Sequence, residues 1–252
     1  MAIPIGLQLY SVREDCRKDL PAVLDAVSDM GYDGVEFAEA CGYLDYPAAE
    51  VRTMLDDRGL VCCGNHTPWH TLQGDELAKT IAYNQALGNP FLIVPGLPEE
   101  LRNSRQAWLE TAGLFNDLAD RVAQDGMRVG YHNHTVEFTE MDGELPWDTF
   151  FGNTRDEVIM QFDVGNAALG GGEAPPFLKK YPGRATTVHV KPYSATNPQA
   201  LIGEDDVPWE EIFELCADVG GTEWHIVEYE VPDVPALDAV AKCLRALRDM
   251  GK

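Results

Sequence analysis

Eight short apolar runs recur along the chain, each followed by a segment with helical spacing, and this alternation is the strongest constraint on the fold. The strand-like runs are Ile5–Tyr10, Gly34–Phe37, Leu60–Gly64, Phe91–Val94, Arg128–Asn133, Val158–Phe162, Ala185–Val190 and Trp224–Glu228. Between them lie amphipathic stretches. Leu20, Val23, Leu24 and Val27 share one helical face, as do Ala112, Phe115, Leu118, Ala119 and Val122. After the eighth run, Leu237, Val240, Ala241, Leu244 and Leu247 repeat the pattern. Gly31, Gly59, Gly88 and Gly126 stand where helices should stop, because glycine enters the left-handed conformation that closes a helix. Eight units in 252 residues have about 31 residues each, the size of a βα repeat in a closed barrel. A doubly wound open sheet would want a Gly-rich turn after its first strand, and this chain has QLYSVRED there. No linker, internal repeat or low-complexity segment breaks the series. The reading is therefore α/β, a single (β/α)8 (TIM) barrel forming one domain over 1–252. The active site of such a barrel belongs at the C-terminal ends of the strands.

Composition narrows the partners. A chain that is 45% hydrophobic can bury a large core, which excludes disorder. Its 42 acidic and 19 basic residues leave a net charge of −23, the opposite of what nucleic acid or an anionic membrane requires. The excess reads as a solvated acidic shell. MAIPIGLQLY lacks the basic and apolar regions of a signal peptide, and no run approaches the ~18 apolar residues of a membrane span. Cys16, Cys41, Cys62, Cys63, Cys216 and Cys243 form no CxxC pair and read as buried, reduced thiols. A cytoplasmic protein is expected, compatible with a homo-oligomer.

The last four strand ends are unusually polar. The fifth run leads into YHNHTVEF with Glu137, the sixth ends at Asp163, the seventh carries His189 and the eighth Glu228, each about one repeat from the next. Three carboxylates and an imidazole around one point would repel one another without a cation. One divalent ion resolves this, and an oxygen-rich set with one nitrogen favours Mn²⁺, Co²⁺ or Mg²⁺, with Zn²⁺ also admissible. Glu137 lies beyond the fifth strand proper, and His132 sits nearer the place where a ligand should emerge. His132 and His134 share strand parity, so one could ligate while the other carries a proton. The choice between Glu137 and His132 stays open at this stage.

The segments GLQLYSVRED at 6–15, GYDGVEFA at 31–38, YHNHTVEF at 131–138, FDVGNA at 162–167, KYPGRATTVHVKPY at 180–193, GEDDVPWEEI at 203–212 and WHIVEYE at 224–230 resemble the xylose-isomerase-like barrels. That sugar phosphate isomerase/epimerase group also includes ketose 3-epimerases, hydroxypyruvate isomerase and inosose dehydratase. The resemblance covers nearly the whole chain and implies a Glu–Asp–His–Glu metal site on Glu137 (or its neighbour His132), Asp163, His189 and Glu228. Three departures stand out. Asn166 replaces a frequent His three residues after the aspartate, and Pro192 replaces an Asp after the HxK lysine. His132 stands where the epimerases carry a strand glutamate, which leans towards the dehydratase-like branches.

Other residues fit a substrate wall. His66 and Trp69 follow the third strand, where a Trp face suits sugar C–H groups and a His can donate to hydroxyls. Glu36 ends the second strand and Lys191 shares the parity of His189. With Asn166, these are the candidate substrate-binding residues. The Gly170–Gly172 run has no basic companion and reads as a loop rather than a phosphate cradle.

A cation at the mouth would polarise a carbonyl and make the neighbouring C–H acidic, and a carboxylate or imidazole would remove that proton. Glu137 and Glu228, with His132 and His134, are the acid/base candidates. Proton return to carbon gives isomerisation or epimerisation of a small keto-sugar, the first expectation. Loss of a β-oxygen from an inosose or keto-glycoside gives a lyase or dehydratase, the alternative. A non-catalytic sugar-binding barrel is the second alternative, and a DNA-repair endonuclease is disfavoured by the charge. The expected substrate is unphosphorylated, because the strand ends lack a cluster of Arg and Lys.

Overall fold

The computed structural model describes residues 2–231 and 234–252 and forms a closed barrel of eight parallel strands in sequential order. The strands are β1 (Ile5–Gln8), β2 (Gly34–Ala38), β3 (Val61–His66), β4 (Phe91–Val94), β5 (Arg128–His132), β6 (Ile159–Asp163), β7 (Thr187–Val190) and β8 (Trp224–Val227). Each overlaps its expected run, and β1 pairs with β8 to close the ring. Gly31, Gly59, Gly88 and Gly126 all have positive φ and close the helical segments before them.

The differences lie at strand ends, where side chains take over from the ladder. β1 stops at Gln8, whose side chain accepts a hydrogen bond from the Tyr10 amide and turns the chain into a 3-10 segment. β3 runs on to His66. It carries an irregularity against β2, where Val35 faces Cys62 but Glu36 faces Gly64, so Cys63 is the extra residue. Both Cys62 and Cys63 are buried, because both faces of a barrel strand are covered, and all six cysteines are free.

The outward faces of the strands meet the apolar faces of the surrounding helices. Val23, Leu24 and Val27 of Leu20–Met30 and Phe115, Leu118 and Val122 of Arg105–Ala123 are buried there. Inside the barrel the floor is apolar, built from Phe91, Ile93 and Ile159 with Trp224 packed against them. Glycines make room for it: a Cβ at Gly130 would overlap Ile159 and Ile93, and one at Gly34 would crowd the Trp224 ring. Above this floor the interior turns polar, with Gln8, Glu36, His132, Gln161, Thr187 and His189 all buried. Among the described residues no helix is long and apolar enough to cross a membrane.

Candidate metal centre and pocket

Buried polar groups need partners, so the polar layer identifies its own purpose through the bonds it makes and the one it lacks. Asp163 ends β6 and caps the helix Val164–Leu169, its Oδ1 accepting from the Asn166 amide at 2.7 Å. Asn133 brackets it, donating to the Asp163 carbonyl and accepting from the Asp163 amide. Asp163 Oδ2 is buried with no hydrogen-bond partner among the described residues. It lies 3.8 Å from His189 Nδ1 and 3.9 Å from His132 Nε2, beyond hydrogen-bond reach. Donor atoms of His132, Asp163, His189 and Glu228 all lie within 4.8 Å of one another, as do those of His66, His132 and His189.

The donor set fits a divalent ion. His189 Nε2 donates to Glu36 Oε2 at 2.6 Å, and its Nδ1 lies 2.5 Å from Glu228 Oε2. Carboxylates only accept, so without a metal both ring nitrogens are protonated. Burial opposes that charge, but the Glu36 and Glu228 carboxylates outweigh it and raise the imidazole to about 10. Replacing the Nδ1 proton by a metal would leave Nε2–H on Glu36, the carboxylate–histidine–metal arrangement that orients ligating imidazoles. With His189 neutral, the four carboxylates of Glu36, Asp163, Glu228 and Glu230 face two cations among the described residues, the Lys191 ammonium and, 3.9 Å from Glu230, the Arg13 guanidinium. One divalent cation cancels that excess of two negative charges. Asp163 is pushed up to about 6 by burial, against the pull of Lys191. Burial would raise Glu228 too, but Lys191 and His189 hold it well below the usual range.

This cluster forms the base of a cavity of about 640 Å³ at the C-terminal ends of the strands. His66, His132, His134, Asn166, Lys191 and Glu228 line it. Trp69 also lines it while stacking on Phe115 at 5.3 Å, so it serves wall and packing together. Lys191 Nζ donates to Glu228 Oε1 at 2.9 Å and to Glu230 Oε1 at 2.7 Å. A Cβ at Gly165 would overlap Lys191, so the glycine of FDVGNA keeps the space this lysine occupies.

Glu137 is not brought to the cluster. It sits on a 3-10 turn, Val136–Phe138, where Oε1 accepts from Tyr131 Oη at 2.5 Å and Oε2 from the His134 amide at 2.8 Å. Tyr131 is itself wedged among Trp108, Phe115, Trp147 and Phe150, which fixes the pair behind the fifth strand. At the mouth the fifth strand presents His132 instead. His134 faces the cavity as its parity implies, 5.0 Å from the His132 ring. Burial pushes it down to about 4, so it does not titrate near neutral pH as a free imidazole would. Glu36 points into the barrel, where Gln8 donates to its Oε2, and a Cβ at Gly64 would overlap its carboxylate.

Sequence reasoning passed over Gln8, Gln161, Glu230 and Asn133. Gln8 donates to Glu36 Oε2, and Gln161 bonds Glu36, Thr187, His66 and His132 at once. The available signal was parity. Gln161 stands two residues before Asp163 on the same face of β6 and is fully buried, where an unpaired amide would be costly.

Comparison with known proteins places the chain among related barrels. The inosose dehydratase of Erwinia tasmaniensis is 27% identical over 243 residues, covering 81% of each chain. That of Klebsiella pneumoniae is 25% identical over 244 residues, again covering 81% of each. A sugar phosphate isomerase/epimerase from Parabacteroides distasonis has a structure that superposes with a TM-score of 0.83 at 25% identity, covering 98% of both chains. Residues 24–250 match the family model described as xylose isomerase-like TIM barrel. The chain belongs to the xylose isomerase-like TIM barrel family.

Proposed function

We propose that this chain is a divalent-metal-dependent enzyme that removes the proton next to the carbonyl of a small, unphosphorylated keto-sugar or inosose and expels a β-hydroxyl as water. The observation that carries this reading is the buried, unpartnered Asp163 Oδ2 facing His132, His189 and Glu228 at the base of an open cavity. His132, Asp163, His189 and Glu228 would hold the ion. When bound, such an ion polarises a carbonyl and lowers the barrier to losing the neighbouring proton.

The chain's own residues supply the rest. His134, kept neutral by burial, takes the α-proton. Lys191, fixed between Glu228 and Glu230, stays an ammonium and offsets charge on the departing oxygen. The C–H and C–O bonds break, a C=C bond forms, and His134 passes its proton to the hydroxide so that water leaves. A neutral base beside a fixed cation is an asymmetric pair, which suits elimination better than proton exchange between two faces of one carbon. The likeness to inosose dehydratases over most of both chains supports the same outcome. The second reading, isomerisation or epimerisation, draws on the end-to-end match to the Parabacteroides distasonis structure. Among the described residues Lys191 is the one Lys or Arg lining the cavity, and it already serves two carboxylates. A phosphate monoester, near −2 at neutral pH, finds no Arg or Lys cluster there.

The test is incubation of Mn²⁺-loaded protein with an inosose and with free and phosphorylated ketoses in D₂O. Loss of water from the inosose is expected. Deuterated ketose without loss of water would establish the second reading, and a tenfold preference for a phosphorylated substrate would refute the neutral-substrate assignment. Inertness towards every substrate would overturn the enzyme reading. His134→Ala should reduce turnover at least tenfold with metal content kept.

A further inference from the structure

Beneath the proposed ligands lies a hub that decides which way their lone pairs point. Gln161 sits fully buried in β6, and its amide spans four partners. Nε2 lies 2.8 Å from Glu36 Oε1 and 2.9 Å from Thr187 Oγ1. Oε1 lies 2.8 Å from His66 Nε2 and 3.1 Å from His132 Nδ1. The amide can sit only one way round, because an ionised carboxylate such as Glu36 accepts and cannot donate. The nitrogen must face Glu36, so the carbonyl oxygen faces both imidazoles, and each must present an N–H to it. His132 therefore carries its proton on Nδ1, leaving the Nε2 lone pair turned towards Asp163 Oδ2. His66 carries its proton on Nε2, shared with Glu36 Oε2 at 3.3 Å, leaving the Nδ1 lone pair free for the cavity.

We infer that Gln161 is a positioning residue that fixes opposite tautomers on His66 and His132 and so turns His132 Nε2 into a donor for the cation. The tautomers follow from the hydrogen bonds alone, and the consequence for the cation rests on the metal-dependent reading above. An amide is the side chain that serves here. Leucine or methionine would leave the buried His132 N–H unpaired and His66 with only its 3.3 Å contact to Glu36, whereas glutamate would set a second carboxylate against Glu36.

The experiment is long-range ¹H–¹⁵N correlation of metal-free protein labelled at histidine, with His132 and His66 assigned through His132→Gln and His66→Gln. Wild type should show His132 protonated on Nδ1 and His66 on Nε2. Gln161→Met should release His132 to the Nε2–H form and weaken Mn²⁺ binding about 10–100-fold, the usual effect of losing a group that orients a ligand. Gln161→Glu keeps the acceptor oxygen and, with one proton shared between its other oxygen and Glu36 in place of the amide N–H, should keep both tautomers, which tests the assignment if the methionine variant does not fold. Wild-type His132 protonated on Nε2 would overturn the inference outright. So would Gln161→Met with both tautomers intact and Mn²⁺ affinity within twofold, or a folded Gln161→Glu in which either tautomer has switched. The expected tautomers in a protein that binds no Mn²⁺ would support the role of Gln161 and sink the metal reading instead.

Discussion

Asp163 uses one carboxylate oxygen to cap the helix Val164–Leu169 and leaves the other buried, unpartnered and facing two imidazoles. In the absence of a cation that second oxygen destabilises the fold, since burial holds its carboxyl up at about 6 while an exposed aspartate ionises near 3.8. Asp163→Asn should therefore separate two effects. The variant keeps the capping oxygen and loses the buried charge, so the metal-free protein should melt no lower than wild type. Wild type should gain stability on adding Mn²⁺, about 2.7 kcal/mol at a hundredfold excess over Kd, and the variant should gain almost none. Thermal unfolding with and without Mn²⁺ reads both numbers. An equal Mn²⁺-induced shift in the two proteins would remove Asp163 from the ligand set.

At the scale of strands and helices, period-2 and period-3.6 patterns made the barrel legible, because eight repeats of similar length admit few closed architectures. Asp163, His189 and Glu228 were legible for a related reason: strand-end position places a side chain at the mouth. Glu137 was not resolvable, because its direction depends on a one-turn helix tethered by Tyr131, a contact set by tertiary packing. Gln161 was hidden by its chemistry, since a neutral amide in an apolar run carries no charge to draw notice. His225 of β8 has the opposite character. It lies on the outer side against Phe213, ring centroids 4.9 Å apart, and both its nitrogens are buried without partners among the described residues. Burial lowers it from 6.5 to about 4, so the unfolded chain takes up its proton first as pH falls. Its contribution is intact above pH 6.5 and is lost progressively between 6.5 and 4, by at most about 1.4 kcal/mol per pH unit. His225→Phe should flatten that part of the stability–pH curve, measured by urea unfolding across the window. An unchanged slope would mean that His225 reaches water in the native state.

The whole molecule carries a charge of −23, and this bears on how it is stabilised as well as on what it binds. A field of that sign attracts cations and repels phosphate, consistent with a cavity where the one Lys or Arg among the described lining residues is already paired. It also makes the folded state repel itself, because folding brings the uncompensated carboxylates closer than in the open chain. Added salt screens that repulsion, with a Debye length near 10 Å at 0.1 M and about 3 Å at 1 M. Salt also weakens exposed ion pairs such as Arg17–Glu14 and Lys79–Glu76, but each is worth only about 0–1 kcal/mol. Such pairs are local and few beside the excess of negative charge, so repulsion sets the sign of the response. Stability should therefore rise between 20 mM and 1 M NaCl. A gain of 1 kcal/mol would lift Tm by roughly 2–4 °C in a chain of this size. The measurement belongs on chelator-treated protein, so that changes in cation binding do not enter, and a Tm that stays flat or falls would show that the local pairs outweigh the global charge.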